Sequence, residues 1–492
     1  MTTLFRQMLA GGACAIAVCA ATDSVNADDR FLTASGGALT VVPPIEAQRI
    51  QTVNVNFDLL RSLRSNDQFS LPIYDKDYRA LVTQKEENGE SLIMSGHLFG
   101  DTLGQFVIAI VGDAAAGWFG VPGQRPVSLR YGGPNTHYVH ESNEDIMPDC
   151  AGSPDAGIFL RNRPHMRRQI EQEEQEIDLD RFMSDYIPTG GSCQSLSIVY
   201  LDVLMVYTTL ARQAAGGVNA IRAQANLSIA TMSLAMANTE LGVNSRIVRY
   251  LEVNYNESGN FEAHLNRLTD IDDGVMDNVH TVRNDSGADF VVLLVADSSS
   301  GGLAWCNSLP SLAFSVNNWS GTFTIAHEMG HNLGCAHNPE DVDCYPNTNA
   351  RGHWFFVPAE DAFRHSIMSY SQSGSSRIPY YSSPLVSYNG VNTGTATRDN
   401  RTQIISQAPA SETFRTTRMN VWLDFSHVGI QFGTFTFPFN NLNSAINQVQ
   451  PNGEELPIMP ILHIKSSSSS ATATITKTME IRACGGPVTI GQ

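Results

Sequence analysis

A chain of 492 residues with 42% hydrophobic content can bury the cores of two to four domains. Its formal charge of −18 argues against nucleic acid or an anionic membrane surface as partner, since both would repel it. Beyond the N-terminus no apolar run reaches the ~20 residues that cross a bilayer, so no membrane span is expected.

Residues 1–27 read as a signal peptide. Arg6 supplies the charge, Met8 to Ala21 is a small-residue-rich apolar stretch, and Val25-Asn26-Ala27 before Asp28 forms a cleavage site. Cys14 and Cys19 would leave with it. The expected product is a soluble exported protein, extracellular or periplasmic. It keeps Cys150, Cys193, Cys306, Cys335, Cys344 and Cys484. Export permits disulfides, but their connectivity is not written in the sequence.

Residues 28–195 form a separate N-terminal region. From Ser91 to Val139, short apolar alternations broken by Gly, Pro and Asp predict antiparallel strands. Gln105–Val111 and Gly117–Val121 are examples. Asp149-Cys150-Ala151-Gly152 follows. Residues 161–182 carry Arg161, Arg163, Arg167 and Arg168, then a Glu-rich run to Asp180. Such a stretch predicts a solvated helix or linker, and an exposed place for proteolytic cleavage.

Residues 196–411 mix strands and helices. The expected core is a twisted, mostly parallel sheet, and Leu303–Trp305 to Phe314–Val316 could supply an antiparallel edge. An extended peptide could add to that edge as a further strand. Within this region stands His327-Glu328-Met329-Gly330-His331-Asn332-Leu333-Gly334-Cys335-Ala336-His337. His327 and His331 are four residues apart, so on a helix both imidazoles leave one face. Gly334 can end the helix and turn the chain, returning His337 as a third ligand. Three neutral nitrogens leave one position open on a tetrahedral zinc, the pattern of a catalytic site. Glu328 is placed to take a proton from a water activated there. Cys306, Cys335 and Cys344 lie around this helix, and two of them are expected to pair.

The motif resembles that of the metzincin zinc peptidases. Ser366-Ile367-Met368-Ser369-Tyr370 follows, and Met368 matches their Met-turn. Tyr370 matches a position that in some metzincins carries a tyrosine beside the zinc; a buried structural tyrosine is the alternative. Other segments resemble the reprolysin (adamalysin) branch, in secreted bacterial form. Leu201–Thr208 resembles its opening strand, Ala211 to Leu241 its first helix and Gly287–Val295 its central strand. Ile378–Pro384 with Asn389-Gly390 resembles the segment after the Met-turn. The resemblance runs from about Ser195 to Ser411. It departs at Asn338, where reprolysins usually carry Asp, which puts the contact from that position to the Met-turn in question. Metzincin zymogens often close the zinc with a pro-segment cysteine. The resemblance makes residues 28–195 a pro-region and Cys150 the switch candidate; a Cys150–Cys193 disulfide is the alternative.

Residues 412–492 are β-branched, aromatic and Gly-punctuated. Gly433–Phe439 leading into Leu442, Ala445 and Ile446 resembles the entry to a right-handed parallel β-helix, and Ile475–Ile481 and Gly486–Gly491 resemble later rungs. Too few turns are present for a solenoid core, so a short β-rich module is the alternative. Ser466–Ser470 reads as a loop.

The fold class is therefore α+β: a metzincin-type catalytic domain between a β-rich pro-region and a small β-rich C-terminal module. The expected function is a secreted endopeptidase, made as a zymogen, with one catalytic Zn2+ and protein or peptide substrates. A structural Ca2+ and the oligomeric state are left open. The alternative is an exported binding or adhesion protein whose C-terminal module carries the function.

Overall fold

A computed structural model of the protein describes residues 29–88, 90–99, 104–143, 146, 150, 154, 156–169, 199–306, 309–340, 348–370, 374–435, 437–450 and 459–491. The signal-peptide reading and most of the charged linker fall outside them, as do Cys193 and Cys344. Among the described residues, no helix is long and apolar enough to cross a membrane.

The N-terminal region is a nine-stranded antiparallel sheet. Its strands are β1 (Leu32–Ala34), β2 (Ala47–Val55), β3 (Gln68–Ile73), β4 (Lys76–Asn88) and β5 (Ser91–Phe99), then β6 (Gly104–Val111), β7 (Ala114–Gly120), β8 (Val127–Gly133) and β9 (Thr136–Ser142). The order is β1-β2-β9-β8-β7-β6-β5-β4-β3. Strand β6 is apolar throughout because both its faces are buried. Phe106, Ile108 and Ile110 join Phe69, Leu71 and Met94 in the sheet's own core. Val107, Ala109 and Val111 point the other way, as the two-residue period requires, into the core of the following domain.

Polar contacts tie the same interface. Buried Arg130 donates through Nη1 to Gln224 Oε1 at 2.6 Å, and through Nη2 to the Ser320 carbonyl. Gln105 and Asn238 exchange amide hydrogen bonds of 3.1 and 3.0 Å.

The second domain holds β10 (Val199–Thr208), β11 (Val243–Val253), β12 (Phe290–Val295), β13 (Gly302–Ala304) and β14 (Phe314–Asn318), in the order β11-β10-β12-β14-β13. All pairs are parallel except β13 with β14, so β13 is the antiparallel edge. Strand β12 reads Phe-Val-Val-Leu-Leu-Val with every residue buried, as a central parallel strand covered on both faces must be. The single helix expected over Ala211–Leu241 is instead two, Thr209–Ala215 and Val218–Asn238. Gly216 and Gly217 separate them at φ +100° and +135°, a backbone region where side chains are strained.

Part of the charged segment is docked rather than solvated. Arg163 Nε and His165 Nε2 both reach Asp270, at 2.5 and 2.7 Å, and Met166 is fully buried. Phe159 packs on Trp305 with ring centroids 4.8 Å apart. An apolar residue every few positions gives this stretch a face to bury, which its charge run conceals.

In the C-terminal region, strands Asn420–Leu423, Ile461–Ser469 and Glu480–Ile490 form a three-stranded parallel sheet in sequence order. Val421, Leu423, Leu442, Ile446, Leu462 and Ile464 make its core. Two expectations fail here. The serine run lies largely within the strand Ile461–Ser469, because the neighbouring strand Glu480–Ile490 satisfies its main chain and Ser466 Oγ donates to the Pro487 carbonyl at 3.1 Å. The two segments read as later rungs do not form separate strands; Glu480–Ile490 runs through parts of both.

Candidate metal centre

Helix Thr324–Asn332 is buried at every residue and carries His327, Glu328 and His331. Gly334, at φ +84°, ends it. The Cys335 N–H bonds to the Gly330 carbonyl at 2.9 Å and the Gly334 N–H to the His331 carbonyl at 2.9 Å, a Schellman cap. The chain then runs back beside residues 350–352. Ala336 accepts from the Gly352 N–H at 3.0 Å and donates to the Ala350 carbonyl at 2.8 Å, which fixes His337.

The three imidazoles converge. His337 Nε2 lies 3.0 Å from His327 Nε2 and 2.9 Å from His331 Nε2. His327 Nδ1 lies 2.9 Å from the Ile367 carbonyl, and His331 Nδ1 lies 2.9 Å from the Cys335 carbonyl. A carbonyl can only accept, so both Nδ1 atoms carry the proton and both Nε2 atoms present lone pairs. Burial, then the neighbouring imidazoles and arginines, holds His327 and His337 far below the usual imidazole range. Lone pairs pressed together in a dry site repel unless a cation lies among them, so the donor set fits a metal ion.

Cys150 completes the group. Its Sγ is 4.0 Å from His331 Nε2 and 3.7 Å from Glu328 Oε2. Its ligating atom and those of the three histidines all lie within 4.8 Å of one another. Cys150 is a thiol and not half of a disulfide, so the Cys150–Cys193 alternative fails. Cys335 is likewise outside any disulfide, which removes it from the pairing expected around the helix.

Glu328 is fully buried, and its Oε1 has no hydrogen-bond partner. Burial pushes its carboxyl up to about 8, against the Cys150 contact and the Arg377 charge, which lower it. Strand β13 passes so close that a Cβ on Gly302 would collide with the Glu328 carboxylate. Sequence reading missed Gly302. Its signal is the Gly301-Gly302 pair opening an apolar run at a sheet edge, where glycine marks close approach.

Met368 is buried, with its sulfur against the active-site helix where a Cβ on Gly330 would strike it. Gly330→Ala is therefore expected to cost about 1–3 kcal/mol by overpacking. Thermal unfolding should show the loss, and a variant as stable as the parent would refute this packing. The doubt over Asn338 resolves in its favour. Its Oδ1 accepts from the Tyr370 N–H at 2.9 Å and from the Ser369 hydroxyl at 3.2 Å, so an amide oxygen anchors the Met-turn without a carboxylate. Tyr370 lies over His337, ring centroids 4.0 Å apart, and its hydroxyl donates to the Cys150 carbonyl at 3.2 Å.

Comparison with known proteins follows the same lines. Residues 200–382 match the reprolysin-type model of metallo-peptidase family M12. The chain is 35% identical over 282 residues to a peptidyl-Asp metalloendopeptidase of Stenotrophomonas maltophilia strain R551-3, covering 53% of this chain and 66% of that protein. It is 35% identical over 220 residues to the protein of the same name from strain K279a, covering 43% and 52%. It is 34% identical over 282 residues to that of Xanthomonas campestris pv. campestris, covering 53% and 66%. The chain thus spans no more than 66% of the length of these relatives.

Proposed function

Residues 200–382 belong to the reprolysin-type metallo-peptidases of family M12, and from that premise we propose that the chain is an exported zinc endopeptidase, made as a zymogen, that cleaves at aspartyl residues. The observation that carries the reading is the convergence of three Nε2 atoms beside a buried carboxylate with an unpartnered oxygen. The aspartyl preference comes from what the relatives are called. Their naming as endopeptidases also disfavours the binding-protein alternative. Cys306 and Cys484 are disulfide-bonded, chemistry that lasts in an oxidising compartment and suits export.

His327, His331 and His337 would hold the zinc, which would supply a Lewis acid and water acidified to a pKa of about 7. The chain's own groups supply the rest. Edge strand β13 aligns an extended peptide by strand addition. The Glu328 carboxylate, kept ionised by the adjacent cation, takes a proton from the attacking water and returns it to the leaving amine. The Tyr370 hydroxyl, now on the Cys150 carbonyl, is placed to donate to the substrate carbonyl oxygen once that segment has left. Latency follows from the Cys150 sulfur filling the position that water would take. The docked segment bearing Phe159 and Arg163 holds it there until cleavage nearby releases it.

Hydrolysis of casein by the processed protein tests the reading. A zinc chelator should abolish it, and added zinc should restore it. Hydrolysis indifferent to the chelator would overturn it.

A further inference from the structure

We propose that Arg377 is the side chain that selects an acidic residue beside the scissile bond, by pairing its guanidinium with the substrate carboxylate. The proposal rests on the reading of the chain as an aspartyl-directed endopeptidase. Recognition of a carboxylate at a site shielded from water requires a cation or an equivalent set of donors within reach.

The walls of the site narrow the choice. One wall is β13, with Gly302 against Glu328. The other is the stretch after the Met-turn, beginning with Tyr370 on the face of His337. Arg377 belongs to that second wall. Its short strand, Ser376–Arg377, pairs in parallel with Ala362–His365, opposite His365. Its Nη2 donates to the Ser369 carbonyl at 3.2 Å, which holds the guanidinium at the Met-turn. The residue is only partly buried. It also lines a cavity of about 330 Å³ with Ile378, Tyr380, Gln105 and Gln124, roomy enough for a substrate side chain.

Its charge is felt at the catalytic groups. Arg377 lowers the affinity of His327, Glu328 and His337 for protons, so its field covers the place where the scissile bond must lie. Neighbouring arginines are otherwise engaged. Arg364 is paired with Glu360 at 2.6 Å, both deeply buried. Arg351 is 6% exposed and reaches the His337 carbonyl, behind the ligand rather than in the cleft. In the sequence, the cysteine that occupies the site is itself preceded by an acidic residue, Asp149.

The test uses the processed protein and three quenched-fluorescence peptides identical except for Asp, Asn or Glu at one position. The wild type should favour Asp over Asn in kcat/KM by roughly a hundredfold, since Asn keeps the shape and loses the charge. Arg377→Gln should bring that ratio to within about fivefold, and Arg377→Lys, whose ammonium is shaped and reaches differently, should shift preference from Asp toward Glu. A wild-type enzyme indifferent to Asp and Asn would sink the aspartyl reading and this inference with it. A selective wild type whose preference survives Arg377→Gln would overturn the inference alone. Should Arg377→Gln fail to fold, an unchanged Asp-to-Glu ratio in Arg377→Lys would overturn it equally.

Discussion

Glu328→Gln is expected to lower kcat/KM by roughly a thousandfold while the zinc content stays near one per chain. Glutamine matches glutamate in shape, so the tight fit against Gly302 survives. What is lost is the lone group beside the histidines able to accept a proton and pass it on. The buried carboxyl is pushed up to about 8 when no cation is near, so a metal ion among the imidazoles is what keeps it ionised and basic. Steady-state kinetics on a short peptide and metal analysis of the same sample check both halves. Activity above about a hundredth of wild type would rule out the base role.

Cys150→Ala is expected to make the unprocessed chain active on a short peptide, by roughly a hundredfold if the sulfur occupies about 99% of sites in the parent. The argument is geometric: the Sγ lies among the three Nε2 atoms, and Glu328 Oε2 is 3.7 Å away. A second brake remains in the variant. Phe159 on Trp305 and Arg163 on Asp270 still hold the segment across the domain. Large substrates such as casein should therefore gain less than the short peptide. An unprocessed variant as silent as the parent toward both would assign latency to steric cover and end the switch reading.

The parts of this site legible in the sequence are those encoded locally. A four-residue spacing on a helix, a glycine stop and a returning histidine lie within eleven consecutive positions, so backbone geometry alone predicts the three ligands and the base. Contacts across long separations were harder. Cys150 meets Glu328 over 178 residues, and only a family resemblance suggested the pairing. Gly302, Gly330 and Arg377 went unread because each acts through a neighbour that only the folded chain supplies. The broken helix at Gly216-Gly217 was legible and was missed, since an alanine-rich pattern on both sides suggested continuity. The strand through Ser466–Ser469 was not legible. Serine has little preference for strands, and the pairing with Glu480–Ile490 decides the matter there. Strand β6 looked like one alternating element of a simple sheet. Its second apolar face announces the domain it packs against, but not which one.

Zinc K-edge X-ray absorption on the unprocessed full chain tests the central claim most directly, because it reads ligand type and distance at once. The account predicts about one zinc per chain, bound by three nitrogens at ~2.0–2.1 Å and one sulfur at ~2.3 Å. In Cys150→Ala the sulfur shell should give way to oxygen with the nitrogens unchanged. A chain without zinc, or a zinc with fewer than three nitrogen ligands, would contradict it.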